Sequence, residues 1–276
     1  MKYPAKQPVA VISARWEALR RHTDARVALG RAGHSLPTAP HLAFQLAHAQ
    51  ARDAVHQPFD AAGIAASLQA MDLQVLSLHS AAAGRATYLQ RPDLGRVLDA
   101  QSREQLRQWR AARVCASEEA EFDLAFVVAD GLSAQAAQAQ AVPLITATLR
   151  LLKADRSQPW HIAPITVVGQ GRVAVGDEIG AGLKACCVAV LIGERPGLSS
   201  PDSLGIYLTW GPRPGLVDAD RNCISNVRPA GLSVDAAAVK LVQLLSAARM
   251  RQLSGVGLKD ESDEQALLDV PITPQA

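Results

Sequence analysis

Residues 123–133 read Asp-Leu-Ala-Phe-Val-Val-Ala-Asp-Gly-Leu-Ser, and positions 124–129 of this stretch are all apolar. An apolar run without polar alternation is typical of a strand that is buried on both faces of a sheet. Asp130 and Gly131 end the run, and Ser133 opens an alanine-rich segment that predicts a long helix. The stretch therefore predicts one strand–turn–helix unit of an α/β fold.

The same alternation of strand and helix continues on both sides of this unit. The apolar pattern predicts further strands at residues 73–78, 164–168, 187–192 and 205–210, and helices at residues 94–113, 133–153, 177–183 and 233–253. Residues 211–231 predict a long loop. Buried strands that alternate with helices argue for a parallel α/β sheet with helices on both faces.

The N-terminal part of the chain has a helical pattern instead. A short amphipathic helix is predicted by apolar residues at helical spacing, namely Val9, Ile12, Trp16 and Leu19. Glycine and proline mark residues 30–37 as a loop. Two further helices are predicted after it, from Thr38 as the capping residue to about His56 and from Asp60 to about Ala70.

Length and composition set limits on fold and function. The 276 residues predict an N-terminal arm and small helical domain over residues 1–70, followed by an α/β domain over residues 71–276. A net charge of +2 and an aromatic content of 4% argue against a nucleic acid as partner. No apolar stretch approaches the ~20 residues of a membrane span, so no membrane partner is expected.

The cysteines indicate the compartment. They are Cys115, Cys186, Cys187 and Cys223, and no two of them have the spacing C-x-x-C. Two adjacent cysteines suit neither a zinc site nor a disulfide framework, so no metal ligands are assigned. No apolar run of signal-peptide length follows Lys2. We therefore expect a cytoplasmic protein.

Three glycine-bearing loops are the candidates for a functional site. They are residues 129–133, 169–173 and 193–197, and each follows a predicted strand. Ligands of parallel α/β sheets bind where strand ends meet the following loops. No G-x-G-x-x-G follows the first strand, and neither a P-loop nor a G-x-S-x-G motif is present, so nucleotide binding and serine hydrolysis have no signature here.

Single residues leave alternatives open. Glu194 follows an apolar strand at the sheet edge, where it can serve a site, pair with Arg195 or cap a helix. Cys223 stands in a polar stretch predicted to be loop, and both a structural and a functional role fit it. The histidines His41, His48 and His56 lie seven and eight residues apart, which is not a spacing of metal ligands.

Several of these stretches resemble the small subunit of ethanolamine ammonia-lyase. The two most specific are residues 191–205 (Leu-Ile-Gly-Glu-Arg-Pro-Gly-Leu-Ser-Ser-Pro-Asp-Ser-Leu-Gly) and residues 218–226 (Asp-Ala-Asp-Arg-Asn-Cys-Ile-Ser-Asn). Shorter matching stretches occur in order at residues 27–33, 36–38, 51–55, 85–95, 128–133, 170–173 and 176–179. Together they cover most of the chain from residue 27 to about residue 260.

The resemblance implies a fold and an activity. The fold is a Rossmann-like domain after a small helical domain, and the enzyme is an adenosylcobalamin-dependent lyase that converts ethanolamine to acetaldehyde and ammonia by radical chemistry. A barrel-shaped large subunit holds ethanolamine, and the two subunits form a higher-order hetero-oligomer, in the cytoplasm or in a bacterial microcompartment within it. The small subunit closes over the corrin.

The resemblance also implies the residues that contact the cofactor. By motif they are Val173, Glu194 and Cys223, and no catalytic residue is assigned to this chain. No histidine stands in an Asp-x-His-x-x-Gly motif, so we expect this chain to supply no lower axial ligand to cobalt. The alternative functions are a non-enzymatic α/β binding module and a scaffold for the large subunit.

Overall fold

A computed structural model of the chain describes residues 11–112, 122–154 and 159–259. Six strands form one sheet: β1 (Val75–His79), β2 (Phe122–Ala129), β3 (Ile165–Gly169), β4 (Ala185–Gly193), β5 (Leu204–Trp210) and β6 (Arg221–Val227). The α-helices of the described residues are α1 (Thr38–His56), α2 (Ala61–Gln69), α3 (Arg85–Gln90), α4 (Ala100–Ala112), α5 (Ala134–Ala154), α6 (Val175–Gly182) and α7 (Val234–Arg251). The chain is therefore an α/β protein, as the sequence predicts.

The sheet is mixed rather than purely parallel. Its strand order is β1-β3-β2-β4-β5-β6, and the first four strands in this order run parallel. β5 is antiparallel to both β4 and β6, which corrects the prediction of a parallel sheet. Parallel neighbours need a crossover connection, whereas residues 194–203 join β4 to β5 without a helix and allow only a reversal.

Strand β6 is the element that the sequence analysis missed. Residues 211–231 were expected to be loop, but Arg221–Val227 pair with β5 at the edge of the sheet. Its buried positions are Arg221, Ile224 and Val227, which are three residues apart rather than two, and the register with β5 shifts within this stretch. The positions between them are partly or fully exposed, and most of them are polar. Apolar periodicity alone does not detect such a strand.

Helices cover both faces of the sheet. In β2, Leu124, Phe126 and Val128 join a core cluster with α2, α5 and α7 on one face. The alternate residues Ala125, Val127 and Ala129 pack on the other face with α4 and α6. This period of two explains the unbroken apolar run of β2, because both of its faces are buried. The parallel strands have the order β1-β3-β2-β4. The Rossmann-like fold that the family resemblance implies is not confirmed.

The N-terminal region agrees with the prediction in two of three helices. α1 begins at Thr38, with Pro37 rather than Thr38 in the capping position. Asp60 caps α2, because its Oδ1 accepts a hydrogen bond from the amide of Gly63 at 2.8 Å. Leu68 of α2 is fully buried in the main core. The domain boundary at residue 70 stays a prediction.

The predicted first helix is wrong within the described residues. Ile12 forms a β-bridge with Arg31, and within residues 11–30 the structure has a 3₁₀ segment, Glu17–His22, in place of an α-helix. Trp16 is 70% exposed, so the apolar stripe has no core within the described chain to hold it as an α-helix. Val9 lies outside the described residues.

The predicted helix at residues 94–113 is interrupted. A 3₁₀ turn covers Leu94–Arg96, and α4 begins only at Ala100. Asp99 ends the break, because its Oδ1 accepts a hydrogen bond from the amide of Ser102 at 2.6 Å and caps α4.

No helix among the described residues has the length and apolar character needed to cross a membrane.

Candidate functional site

The three glycine-bearing loops meet at the carboxyl ends of the parallel strands. The amide of Gly171, after β3, donates to Oδ1 of Asp130, after β2, at 2.9 Å. The amide of Leu132 donates to the carbonyl of Gly193, at the end of β4, at 2.9 Å. Gly131 has φ +57°, and a Cβ there would lie 2.2 Å from the Gly193 oxygen, so this approach requires glycine. The convergence predicted from sequence is confirmed.

Beside these loops lies a cleft of about 1120 Å³ on the α6 face of the sheet. Its walls come from the start of α6, the end of β4, strand β5, the segment at residues 214–218 and Arg221 of β6. The lining includes Val173, Glu194 and Tyr207. Such a volume exceeds the usual range of about 300–1,000 Å³ for small-molecule pockets, so the cleft suits a large ligand.

Val173 stands on the cleft wall just before α6. Its loop is held from behind by the Gly171–Asp130 hydrogen bond and by the amide of Arg172, which donates to the Gly95 carbonyl at 2.7 Å. Val173 is half-buried and packs partly against the core cluster of the α6 face. It therefore presents a fixed apolar surface to the cleft.

Glu194 follows β4 on the same cleft. Its carboxylate oxygen Oε2 accepts hydrogen bonds from the Ser203 hydroxyl and from the amide of Asn226 at 3.3 Å. The side chain is half-buried, and in the described part of the chain no ion pair joins it to the exposed Arg195. Both of these hydrogen bonds reach Oε2, so the arrangement orients the carboxylate without involving Oε1. The structure thus places Val173 and Glu194 in one cleft.

Cys223 lies next to the cleft rather than in its lining. The prediction that it stands in a loop is wrong, because it occupies β6 opposite Tyr207 of β5. The residue is exposed, and its partner across the strand pair, Tyr207, lines the cleft. Desolvation of the thiol by surrounding atoms raises the pKa of Cys223, and the nearby charge of Glu194 raises it further. The thiol is therefore protonated at neutral pH.

The sequence analysis missed a buried ion pair in the cleft. Arg221 donates from Nη1 to Oδ1 of Asp177 at 2.6 Å and from Nη2 to Oδ2 at 2.7 Å. The side chains are 2% and 3% exposed, and both residues line the cleft. They lie 44 positions apart, on β6 and α6. Asp177 and Arg221 both fall in stretches that carry the family resemblance, but no spacing in the sequence predicts their pairing.

A second buried cluster, around Asp130, Arg85 and Tyr88, contacts the glycine-bearing loops. Oδ1 of Asp130 accepts from the amides of Gly131 at 3.0 Å and Gly171 at 2.9 Å, while Arg85 Nη1 lies 3.7 Å from Oδ2. Burial raises the pKa of Asp130 to about 6, although Arg85 and the backbone amides oppose this shift. The Tyr88 ring lies between two guanidinium groups, with Arg85 Cζ at 4.8 Å and Arg172 Cζ at 4.4 Å from its centroid.

The chemistry of the cleft is that of a contact surface. Across residues 11–112, 122–154 and 159–259, no group of three or more His, Cys, Asp or Glu side chains is placed to hold a metal ion. Cys186, Cys187 and Cys223 are free thiols, and Cys115 lies outside the described residues. A half-buried carboxylate, an apolar wall and a neutral thiol can bind a large ligand that carries hydrogen-bond donors.

Comparisons with known proteins give the family. The model of the ethanolamine ammonia-lyase light chain family matches residues 13–259. The chain is 59% identical over 254 residues to the ethanolamine ammonia-lyase small subunit of Azotobacter vinelandii, covering 92% of this chain and 91% of that protein. It is 57% identical over 256 residues to the small subunit of Ralstonia nicotianae, covering 93% and 92%. The chain belongs to the ethanolamine ammonia-lyase light chain family.

Proposed function

We propose that this chain is the cofactor-contacting subunit of an adenosylcobalamin-dependent ethanolamine ammonia-lyase. Membership of the family makes it one subunit of an ammonia-lyase that acts as a complex. The observation that carries the cofactor assignment is that Val173 and Glu194, far apart in sequence, share one large cleft with Cys223 at its edge.

The residues around the cleft fit cobalamin. A corrin ring bears many peripheral amides, and Glu194 holds a carboxylate whose orientation is set by Ser203 and Asn226 through Oε2. The cleft of about 1120 Å³ is wide enough for part of such a large ring, while the remainder would face the partner subunit. When bound, adenosylcobalamin would supply the radical chemistry of the deamination.

The residues of this chain would hold and orient the cofactor. Glu194 would accept hydrogen bonds from corrin amides, and Val173 would offer an apolar surface that excludes water. The pKa of Cys223 is raised by desolvation, so its thiol would act as a neutral contact rather than as a nucleophile. No acid–base role is needed from any of the three, and the catalytic groups for ethanolamine would belong to the large subunit.

The partner is proposed to be a large subunit. The relatives are named small subunits, and this supports a hetero-oligomer in which the large subunit binds ethanolamine. The free thiols of Cys186, Cys187 and Cys223 support a reducing cytoplasmic compartment. The proposed location is the cytoplasm, either free or within a bacterial microcompartment, and the second alternative rests on the family resemblance.

Reconstitution tests this function directly. The chain is purified alone and together with a large subunit of the family, and each sample is dialysed against adenosylcobalamin and assayed for acetaldehyde. We expect the cobalamin absorption spectrum and deamination only in the two-subunit complex. Deamination by the chain alone, or a complex without bound cobalamin, would contradict the proposal. A nucleotide retained by the isolated chain would favour the binding-module alternative.

A further inference from the structure

The ion pair between Asp177 and Arg221 joins the two sides of the cleft. Asp177 lies in the first turn of α6, four residues after Val173. Arg221 is the first residue of β6, two positions before Cys223, so both point to the same face of the strand. One guanidinium–carboxylate contact therefore connects the element behind Val173 with the strand that carries Cys223.

Arg221 also fixes the segment that covers the cleft. Its Nη1 donates to the Thr209 hydroxyl at 3.0 Å, and its Nη2 donates to the Leu216 carbonyl at 3.2 Å. Leu216 belongs to the connection between β5 and β6 and lines the cleft. A planar guanidinium with several fixed donors can hold three elements in one geometry, which a lysine ammonium cannot.

Helix α6 is itself a rigid reference for this contact. A Cβ at Gly176 would lie 2.3 Å from Val190 Cγ2 of β4, and a Cβ at Gly180 would lie 2.6 Å from Pro212 Cγ. At these two positions the helix thus packs against β4 and against Pro212, which follows β5, more closely than a larger residue permits. The position of Asp177 relative to β4 is therefore defined by backbone packing.

The stability of the fold alone is a weak explanation for burying the charged pair of Asp177 and Arg221. Burying two charges costs a large desolvation energy, and an apolar pair of similar volume often stabilises a protein as well. The Arg221 Nε is buried and has no hydrogen-bond partner among the described residues, which adds to that cost. The pair offers something that an apolar pair does not, namely a directional link between α6 and β6.

We propose that Asp177 and Arg221 are positioning residues that set the spacing of the cofactor contacts at Val173 and Cys223. The inference rests on the proposed function. Although both residues line the cleft, their side chains are only 2% and 3% exposed, so in this proposal they act through the elements that carry Val173 and Cys223 and not by contact with the cofactor. The link holds those elements in place before the cofactor arrives.

The test uses the complex of this chain with its large subunit. Arg221→Lys keeps the charge but loses the two parallel hydrogen bonds, and Asp177→Asn keeps the shape but loses the charge. Loss of a supporting group behind ligating residues typically weakens affinity 10- to 100-fold at metal sites, so we expect roughly tenfold weaker binding of adenosylcobalamin, measured by equilibrium dialysis with absorption. The KM for ethanolamine, measured at saturating cofactor, should stay within about twofold of the unsubstituted complex.

Arg249→Lys is the matched control. Arg249 of α7 pairs with Asp123 of β2 at 3.2 Å, so it also joins a helix to a strand, but away from the cleft lining. We expect this variant to bind adenosylcobalamin with unchanged affinity. Melting curves of each apo-complex separate an effect on folding from an effect on cofactor binding.

The outcomes distinguish this inference from the function on which it rests. If the unsubstituted complex binds no cobalamin, the proposed function itself fails. If it binds cobalamin and the Arg221→Lys and Asp177→Asn complexes bind it with the same affinity as the unsubstituted complex, only the positioning role fails, whatever their melting temperatures. If both variants fail to assemble while Arg249→Lys assembles, the pair is a folding element and the inference is overturned.

Discussion

Asp130 and Asp177 are both buried carboxylates facing an arginine, but they are stabilised in different ways. Their side chains are 2% and 3% exposed. Asp177 accepts both arms of Arg221 at 2.6 and 2.7 Å. Asp130 accepts backbone amides, while Arg85 stays 3.7 Å away and donates instead to the carbonyls of Val55 and Gly131. Asp177 therefore belongs to an ion pair, whereas Asp130 is a carboxyl group held by peptide groups.

The surroundings of Asp130 allow this carboxyl group to respond to pH. Burial raises the pKa of Asp130 to about 6, because its arginine is too far away to offset the lost hydration. Burial would lower the pKa of Arg221, but the hydrogen bond and charge of Asp177 raise it overall. The Arg221 guanidinium therefore stays charged over the physiological range. Asp130, which supports the Val173 loop through Gly171, can change its charge near pH 6.

The largest effect on stability is expected where the ion pair is broken on one side. Arg221→Met removes the guanidinium and leaves the Asp177 carboxylate buried without its partner. Breaking a buried pair in this way costs about 3–5 kcal/mol of unfolding free energy. Urea denaturation of the full chain at pH 7 measures the loss. Arg249→Met, at a partly exposed pair, should cost less, and equal losses in the two variants would contradict the distinction.

The pH dependence of stability tests the other carboxylate. The pKa of Asp130 is raised above the value of 3.8 expected for the unfolded chain to about 6 in the fold, so the folded state binds more protons between these values. Stability from this group is therefore complete below about pH 4 and is lost as the pH rises to about 6. The loss amounts to at most about 3 kcal/mol.

Asp130→Asn isolates this contribution from other titrating groups. The unfolding free energy of the unsubstituted chain, minus that of the variant, should fall between about pH 4 and 6 and then level off. Denaturation in urea at a series of pH values measures this difference. A difference that is flat over this range, or that rises with pH, would show that Asp130 is ionised throughout.

A smaller effect is expected from the distant arginine of Asp130. Arg85→Met removes hydrogen bonds to the carbonyls of Val55 and Gly131 at 2.6 and 2.7 Å, which costs about 2 kcal/mol. It also removes the positive charge that lowers the pKa of Asp130, so this pKa should rise further. The pH-dependent loss of stability should then extend above pH 6. An unchanged pH profile would mean that Arg85 does not act on Asp130.

These contrasts also define what the sequence could predict. The apolar run at residues 124–129 and the glycine-bearing loops depend on local patterns, and the structure confirms the buried strand and the convergence of those loops. The antiparallel direction of β5 follows from the connection between β4 and β5, which contains no helix. Strand β6 has polar residues on its open side, so periodicity did not detect it.

The polar clusters were beyond sequence reasoning for a different reason. Asp177 and Arg221 meet only because Arg221 points from β6 to the face of the sheet that α6 covers, and no local pattern encodes a contact across 44 positions. Cys223 illustrates the intermediate case. The family motif assigned it to the cofactor, but its place on a strand opposite Tyr207 follows from the register of β5 and β6.

Glu194 extends the comparison to a carboxylate that is only half-buried. Its two hydrogen bonds come from Ser203 and Asn226, and no arginine in the described residues pairs with it. Glu194→Gln keeps the shape and the acceptor oxygen, so the unfolding free energy without cofactor should change by no more than about 0.5 kcal/mol. Among the residues substituted in these predictions, namely Arg221, Asp130, Arg85 and Glu194, this is the smallest expected effect on stability.

The same substitution should nevertheless weaken cofactor binding, because a carboxylate accepts amide hydrogens more strongly than a neutral amide does. Loss of one charge-assisted hydrogen bond costs about 1.5–3 kcal/mol, which corresponds to roughly ten- to a hundredfold in affinity. Titration of adenosylcobalamin against the unsubstituted and Glu194→Gln complexes measures the affinity, and melting curves of each apo-complex measure the stability. A lowered melting temperature with unchanged affinity would reverse the assignment, since Glu194 would then support the fold, like Asp177, and not the cofactor.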